Sequence, residues 1–352
     1  MPSLSPLASP SATTEVLNQF GLATKHALGQ NFLVNDAILQ KIVLLAELSE
    51  NDAVLEVGPG IGTLTIALLK SASAVVSIER DIDLVEVLAQ TCALWEHKFA
   101  LINRDALGVD SSEIENALRE LSERGVFGEA SARGASGKQC VGGALHGAPV
   151  STALDKLSAR STFARTFPNK LVANLPYAVA ATLVLDYFER FPQLESATVM
   201  VQKEVADRMM ARPGSKDYGA FTVKLSLYAR ADGHFTVSPN NFFPPPRVMS
   251  CVLRLDRYVL SDGAGADVSP DERRAACLMA DAAFANRRKT IANSAKTYFA
   301  SRGPSQGAKT PTADTLARIF AQADIDPRRR GETLTVQEYV SLGKAYLENC
   351  EK

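Results

Sequence analysis

The sequence predicts an α/β fold, a doubly wound and mostly parallel sheet followed by a small all-α C-terminal domain. Between about residues 53 and 202, short apolar runs of strand length alternate with segments of helical periodicity. A glycine-rich turn follows the first apolar run. From about residue 271 to the end only helical patterns remain.

The elements of the sheet follow in order. A first helix is predicted over 36–48, with Asn35 or Asp36 as its cap. The predicted strands are Ala53–Val57, Ala74–Ile78, Ala100–Asn103, Leu171–Ala173 and Ala197–Val201. The helices after the first four strands are predicted to end at Leu69 and to span Leu84–Thr91, Ser112–Arg124 and Ala178–Phe191. Ligands of such sheets bind beyond the carboxyl ends of the strands, so polar residues there are candidates for a site.

The remainder of the chain divides into strands and then helices. Alternating segments at Thr222–Ala229 and Met249–Leu255 are predicted to complete the sheet as an antiparallel pair. Four helices are predicted after them, namely Arg273–Ala285, Arg288–Ala300, Thr312–Ala323 and Val336–Asn349. We therefore expect a disordered leader over 1–24, a first domain over 25–257 and a helical domain over 258–352.

Composition indicates a globular protein without a membrane segment. Of 352 residues, 46% are hydrophobic and 22% are charged, and no apolar run has membrane-spanning length. The first 24 residues contain no Lys or Arg, which fits neither a secretory signal nor a transit peptide. The five cysteines are scattered, which argues against a zinc site or a disulfide framework and favours the cytoplasm.

The charge is unevenly distributed. The net charge of −1 combines 15 Lys and Arg against 22 Asp and Glu in residues 1–202 with 23 against 17 in residues 203–352. The second half can therefore present a basic face to phosphates, although many domains with such asymmetry bind no RNA. Residues 125–169 interrupt the pattern, since seven of the 22 glycines lie between Gly125 and Gly147. We expect a flexible insertion there, without catalytic residues.

The glycine-rich turn is Glu56-Val57-Gly58-Pro59-Gly60-Ile61-Gly62. Its glycines let the backbone leave a strand sharply and approach a ligand closely. Glu79 ends the next strand, 21 positions after Gly58, where an acid can accept hydrogen bonds from ribose hydroxyls. Asp105 follows the third strand and can receive an adenine amino group. Together they predict a nucleoside-bearing cofactor, and Glu56 either reaches its charged end or is only a half-buried acid.

The most informative segment is Asn174-Leu175-Pro176-Tyr177, at the end of a predicted buried strand. The amide oxygen of Asn174 and the carbonyl of Leu175 can accept hydrogen bonds from an exocyclic amino group. Pro176 fixes the backbone, and Tyr177 can stack on a planar ring. These residue types suit an enzyme that alkylates the amino nitrogen of a nucleobase.

Two further segments complete the candidates. In Asn241-Phe242-Phe243-Pro244-Pro245-Pro246-Arg247, either phenylalanine can form a second wall against a flipped base or simply pack in the core. The runs Arg287-Arg288-Lys289, within a predicted helical segment, and Arg328-Arg329-Arg330 are either solvated surface or contacts to phosphates.

In this order, these motifs resemble those of the bacterial ribosomal RNA adenine dimethyltransferases, specifically the small-subunit (kasugamycin-sensitivity) methylases. The resemblance includes Lys25-His26-Ala27-Leu28-Gly29-Gln30-Asn31-Phe32-Leu33 and Ala285-Asn286-Arg287-Arg288-Lys289-Thr290 and covers residues 25–350 apart from the insertion. It implies a Rossmann-like S-adenosylmethionine-dependent methyltransferase sheet. It also implies dimethylation of two adjacent adenines in the 3′-terminal hairpin of 16S rRNA, in the 30S subunit or its precursor. We expect a cytoplasmic monomer without a metal.

The resemblance also assigns site residues. The residues implied to contact the cofactor are Asn31, Leu33, Gly58, Glu79, Asp105 and Asn174. Those implied to handle the adenine are Asn174, Leu175 and Tyr177, with Phe242 as the stacking partner. One departure is Ala178, where many relatives carry a polar residue, so that a helix cap is expected to be lost. Another is the insertion itself.

Three alternatives remain open from the sequence. An antibiotic-resistance methylase acting on large-subunit RNA would share the chemistry, although the long helical C-terminal domain and Leu175 favour the small-subunit enzyme. A ribosome-assembly checkpoint would use the same surfaces with catalysis secondary. A nicotinamide dehydrogenase is disfavoured, because the glycine spacing is GxGxG rather than GxGxxG.

Overall fold

The structure is a computed structural model that describes residues 3–25, 30–134, 165–262, 265–301 and 311–350. The strands are β1 Phe32–Leu33, β2 Ala53–Val57, β3 Ala74–Glu79, β4 Phe99–Asn103, β5 Lys170–Asn174, β6 Ser196–Gln202, β7 Ala229–Val237, β8 Phe242–Phe243 and β9 Ser250–Arg257. The α-helices are α1 Pro10–Gln19, α2 Asp36–Leu45, α3 Thr63–Ser71, α4 Asp83–Thr91, α5 Ser111–Gly134, α6 Ala180–Arg190, α7 Lys203–Met209, α8 Ala220–Ser226, α9 Pro270–Phe284, α10 Ile291–Ser301, α11 Ala313–Gln322 and α12 Val336–Cys350.

A seven-stranded sheet with the order β4-β3-β2-β5-β6-β9-β7 confirms the predicted α/β class. Strands β4, β3, β2, β5 and β6 pair in parallel, for example with Leu55 opposite both Val76 and Leu171. All residues of β2 and β3 are buried, as expected for a parallel sheet covered on both faces. The chain runs outward from β2 to β4 and then returns to the other side of β2. The crevice between the carboxyl ends of β2 and β5 is therefore the topological switch point, where ligands bind.

The chain forms two compact units. The first comprises Met1–Asp186, Arg190–Val201 and His234–Arg254, and the second comprises Tyr187–Glu189, Gln202–Gly233 and Leu255–Lys352. The second unit thus includes residues 202–233, which our expected boundary at residue 258 assigned to the first domain. Its core packs α9, α10, α11 and α12 around buried residues such as Met279, Ile319 and Tyr339.

The expectation of a disordered leader over 1–24 is wrong for the residues that the structure describes. Helix α1 begins at Pro10, and the Ser9 side chain caps it by accepting from the Ala12 amide. Leu7 and Leu17 are buried in the core of the first unit. Leu4, Val16 and Phe20 pack against the same core, and the burial of these apolar side chains offsets the entropy of ordering the segment.

The segment Thr222–Ala229 is also corrected, because it contains helix α8 rather than a strand. Its apolar residues alternate as in a strand, but Val223, Leu225 and Leu227 are all buried in the second unit. Residues two positions apart lie on nearly opposite faces of a helix. A helix that is buried on both faces can therefore show the same alternation of apolar residues as a strand. The strand that accompanies β9 is instead β7, whose mostly exposed interior carries no clear alternation.

The predicted insertion over 125–169 begins as helix. Helix α5 continues past Arg124 to Gly134, and most of the rest of the insertion, 135–164, lies outside the described residues. Helix α6 begins at Ala180, and neither Ala178 nor Val179 before it offers a side-chain acceptor to cap it. Among the helices that the structure describes, none is long and apolar enough to cross a membrane.

Candidate active site

The glycine turn connects β2 to α3 through three left-handed residues. Gly58, Gly60 and Gly62 have φ of 71°, 61° and 92°. These angles are unfavourable for residues with a Cβ, which explains the glycine spacing. At Gly60 a Cβ would also lie 3.0 Å from the ring of Phe32, so the turn and β1 approach each other closely. The turn is therefore a backbone cradle with one aromatic wall.

A cavity of about 390 Å³ lies at the carboxyl ends of β2, β3 and β5. It brings together eight of the nine residues proposed from the sequence, namely Asn31, Leu33, Gly58, Glu79, Asp105, Asn174, Leu175 and Tyr177. These residues come from five separate parts of the chain. Their convergence at the switch point makes the cavity the candidate active site.

Glu79 presents a carboxylate from the end of β3. The side chain is 8% exposed, and its oxygens accept hydrogen bonds from the amides of Asp81 at 2.8 Å and Gly60 at 3.4 Å. Burial raises the pKa of the Glu79 carboxyl, while these amides stabilise the anion and oppose the shift. Because a carboxylate has lone pairs beyond those two bonds, Glu79 can still accept from a pair of ligand hydroxyls.

Asp105 occupies a more open position beyond β4. Its side chain is 56% exposed. One carboxylate oxygen caps the short 3₁₀ turn Ala106–Gly108 by accepting from the Leu107 amide at 3.1 Å. The other lies 3.4 Å from a guanidinium nitrogen of Arg80. This local bonding fixes the side chain at the rim of the cavity.

Asn174 ends β5, and its side chain reaches the residue just before β1. Its Nδ2 donates to the main-chain carbonyl of Asn31 at 3.2 Å. Because a carbonyl oxygen only accepts, the amide atom that faces Asn31 must be the nitrogen, which determines the orientation of the amide. The Oδ1 acceptor consequently points away from Asn31.

Residues 175–179 connect β5 to α6 and are held by two backbone hydrogen bonds. The Leu175 side chain is buried, and its amide donates to the Met200 carbonyl at 3.1 Å. The Pro176 carbonyl accepts from the Val179 amide at 3.2 Å. The first bond ties the segment to β6, and the second closes a turn before the helix.

The Tyr177 side chain is held at its hydroxyl. The hydroxyl shares a 2.8 Å hydrogen bond with the Ser250 hydroxyl, and burial raises the pKa of Tyr177. The half-buried tyrosine ring therefore lines the cavity in a fixed position.

Phe242 does not line the cavity, unlike the other proposed residues. It is 3% exposed and belongs to the hydrophobic core of the first unit, where β8 pairs Phe242 with Leu33. Its surroundings match core packing, the alternative that the sequence left open. Phe243, its partly exposed neighbour, packs against the same core. A base-stacking role for either ring has no support from the cavity.

Glu56 is a buried acid beneath the site. It is 1% exposed, and its Oε2 accepts from the hydroxyls of Thr65 at 2.8 Å and Ser77 at 2.7 Å. Burial raises the pKa of Glu56 to about 7. It does not line the cavity, so of the two readings from the sequence the structural acid describes it better, although it is fully rather than half buried.

The chemistry of the cavity is that of binding and orientation. It offers a backbone cradle, two carboxylates and a fixed amide acceptor beside a tyrosine ring. Within the described ranges there is no group of three or more residues suited to hold a metal ion.

The ribosomal RNA adenine dimethylase family model matches residues 21–340. The chain belongs to this family. Family membership makes it an S-adenosylmethionine-dependent rRNA adenine dimethyltransferase, as the motifs predicted. This activity explains why one cavity is lined by both the glycine turn and the Asn174–Tyr177 segment, because the reaction requires a methyl donor and an adenine to meet.

Curated relatives match over almost the whole chain. The ribosomal RNA small subunit methyltransferase A of Enterococcus faecalis is 32% identical over 343 residues, covering 97% of this chain and 97% of the relative. The protein of the same name from Bifidobacterium longum is 34% identical over 340 residues, covering 94% and 90%.

Solved structures share the fold. A dimethyladenosine transferase from Plasmodium falciparum has a TM-score of 0.59 at 19% identity and covers 88% of this chain and 95% of its own. The 23S rRNA methyltransferase ErmE has a TM-score of 0.52 at 20% identity and covers 90% and 99%. Both confirm the predicted fold class.

The site fits the family's methyl donor. Gly58 and Gly60 line the cavity with backbone, and Glu79 and Asp105 offer carboxylate acceptors to the hydroxyl and amino groups of a nucleoside. When bound, S-adenosylmethionine supplies an electrophilic methyl group on a sulfonium.

Reasoning from the residues alone missed part of the site. Asn31 and Leu33 entered only through the family resemblance, because an isolated Gln-Asn pair before two apolar residues carries no ligand signal. Phe32 and Arg80 also line the cavity and were not proposed. Arg80 follows Glu79 directly, so its place at a strand end was a signal that could have identified it.

Proposed function

We propose that this dimethylase transfers methyl groups to two adjacent adenines in the 3′-terminal hairpin of 16S rRNA, giving N6,N6-dimethyladenines during biogenesis of the 30S subunit. The observation that carries the proposal is the shared cavity, in which the glycine turn and the Asn174–Tyr177 segment meet. The names of the Enterococcus and Bifidobacterium relatives support the small subunit as the substrate.

The first step is orientation of the adenine amino group. This nitrogen is a poor nucleophile, because its lone pair is conjugated with the ring. Asn174 Oδ1 and the Leu175 carbonyl accept its two hydrogens and draw them out of the ring plane. The lone pair then points toward the methyl group, while Tyr177 stacks on the base.

The second step is methyl transfer. The amino nitrogen would accept the methyl group that S-adenosylmethionine, held by Gly58, Glu79 and Asp105, would supply, and the departing sulfur would keep the electron pair of the broken carbon–sulfur bond. The resulting ammonium loses a proton to solvent, so no dedicated base is needed. Asn174 and Leu175 stabilise the positive charge that develops on the nitrogen, which places most of the catalysis in electrostatics and positioning.

A basic surface on the second unit supports binding to structured RNA. Arg287, Arg288 and Lys289 lie in the loop between α9 and α10, which corrects their expected place within a helix. Arg287 donates to the Tyr218 carbonyl at 2.8 Å, and the Ile291 amide donates to the Arg329 carbonyl at 2.7 Å.

These bonds bring three loops together, and their exposed cations are Arg212, Lys216, Arg287, Arg288, Lys289, Arg328 and Arg330. Such a cluster suits the phosphates of a folded RNA. Arg287 also lies 3.3 Å from Glu332, so part of its charge is used within the protein. We propose that Arg288 and Lys289 contact the RNA. We also propose that the protein acts as a monomer in the cytoplasm and that its substrate is the 30S subunit or its precursor.

The test is methylation of 30S subunits that lack the modification, with labelled cofactor and mapping of the product. We expect label confined to two adjacent adenines near the 3′ end of 16S rRNA. Label confined to large-subunit RNA would contradict the proposal and favour the antibiotic-resistance class.

A further inference from the structure

The Asn174–Tyr177 segment is held at both of its ends. On one side it packs against the glycine turn, since the Asn174 carbonyl oxygen and Pro176 Cδ both lie 3.7 Å from the position of a Cβ on Gly58. On the other side the Tyr177 hydroxyl reaches Ser250 at 2.8 Å. The turn fixes the backbone of the segment, and the serine fixes its ring.

Ser250 is a buried anchor. It begins β9 and is 0% exposed, and Cys251, Val252 and Leu253 after it are also buried. A hydroxyl in such a place keeps its position, because the surrounding strand is fully packed. Tyr177 lies in a turn before α6, so its own backbone constrains the ring less.

A single bond at the tip of a tyrosine has a large effect on the ring. The hydroxyl oxygen lies on the axis of χ2, so the bond to Ser250 restricts χ1 through its position. Because the phenolic O–H and its hydrogen-bond partners prefer the plane of the ring, the direction of the bond also favours one χ2. A ring that stacks on a base must present its face, so a rotated ring would lose the contact without losing its burial.

We propose that Ser250 is a positioning residue, which holds the Tyr177 ring in the orientation that stacks on the adenine. The proposal rests on the function proposed above. It also connects the region around the three prolines to the site. The connection is Ser250, which follows the prolines, rather than Phe242, which precedes them.

The test is a double-mutant cycle of Tyr177→Phe, Ser250→Ala and their combination. The readouts are the single-turnover methylation rate on unmethylated 30S subunits, the Kd for S-adenosylmethionine and the Tm. We expect each single variant to lose about tenfold in rate, and the double variant to lose no more than about twofold beyond that, because both changes remove one shared bond. The cofactor Kd should stay within about twofold of wild type, since the bond does not involve the cofactor subsite.

Tyr258→Phe is the matched control. Its hydroxyl donates to the Ser226 carbonyl in the second unit, so this variant also removes one tyrosine hydrogen bond. We expect its rate to equal that of the wild type. If Ser250→Ala fails to fold, Tyr177→Phe alone still tests the bond, since it leaves the ring and Ser250 in place.

The inference would be overturned if Tyr177→Phe kept the wild-type rate, or if the two losses were additive. An equal loss of cofactor affinity would also overturn it. Failure of the wild-type protein to methylate 30S subunits is a different outcome, which would refute the proposed function itself.

Discussion

The Asn174 side chain and the Asn31 main chain are joined by a 3.2 Å hydrogen bond from Nδ2 to the carbonyl oxygen. The two residues are 143 positions apart, at the end of β5 and just before β1. The bond turns the amide so that its oxygen is the atom available to a substrate. The orientation of the proposed catalytic acceptor, Asn174 Oδ1, thus depends on the main-chain carbonyl of Asn31.

This relationship predicts unequal effects for changes at its two ends. Asn31→Ala keeps the carbonyl, so we expect the methylation rate at saturating cofactor to stay within about threefold of wild type. Asn174→Asp places a carboxylate oxygen against that carbonyl, and we expect a loss of at least about 100-fold. Single-turnover assays on 30S subunits measure both. Similar losses for the two variants would show that the Asn31 side chain, and not its carbonyl, matters for turnover.

The glycine cradle predicts a selective effect of Gly60→Ala. Gly60 and Gly21 have nearly the same φ, 61° and 63°, but only at Gly60 would a Cβ crowd Phe32. Gly21→Ala therefore controls for backbone strain, at about 1–2 kcal/mol of unfolding free energy. We expect Gly60→Ala to cost about 1 kcal/mol more and to weaken cofactor binding at least about tenfold. Urea unfolding and calorimetric titration measure the two effects, and equal results for the two variants would refute the crowding argument.

The position of Glu79 predicts a loss of cofactor affinity without a comparable loss of turnover. Glu79→Gln removes the charge that strengthens hydrogen bonds to ligand hydroxyls, so we expect the Kd for S-adenosylmethionine to rise about 10- to 100-fold. Turnover at saturating cofactor should fall less than about threefold. The exposed Glu86 on α4 supplies the control variant Glu86→Gln, which should change neither quantity. An unchanged Kd for Glu79→Gln would exclude Glu79 from the cofactor subsite.

The buried Glu56 predicts a pH-dependent stability. Its pKa is raised from 4.5 to about 7 in the folded protein, so between these values the folded state binds more protons than the unfolded state. The free energy of unfolding therefore falls as the pH rises through this range, and the penalty is complete above about pH 7.

Glu56→Gln cannot ionise and keeps an acceptor for the hydroxyls of Thr65 and Ser77. We expect it to gain up to about 3 kcal/mol on the wild type between about pH 4.5 and pH 8. Urea unfolding of both proteins across this range measures the gain. A stability difference that did not change with pH would show that Glu56 ionises in the folded state as it does in the unfolded chain.

The parallel core of the fold could be predicted from the sequence because its signals are local. The apolar run Ala53–Val57 became β2 without a change of bounds, and the spacing of Gly58, Gly60 and Gly62 marked the turn after it. Glu79 was identified in the same way, since parallel strands place their carboxyl ends at one edge.

Other features depended on tertiary contacts that no local pattern encodes. The strand period of Thr222–Ala229 was misleading because packing in the second unit buries Val223 and Leu225 within a helix. Strand β1 has two residues and exists through its pairing with β8, more than 200 positions away in sequence. For the same reason neither the bond between Tyr177 and Ser250 nor the burial of Phe242 could be read from the motifs that contain them.

The central claim is that Asn174 performs catalysis while other surfaces bind the ribosomal particle. The most direct test measures methyl transfer and particle binding by Asn174→Ala on the same unmethylated 30S subunits. We expect dimethyladenine formation to fall at least about 1000-fold, while the Kd for the particle stays within about threefold of wild type. Formation of dimethyladenine within about tenfold of the wild-type rate, or a loss of particle binding as large as the loss of methyl transfer, would contradict the account.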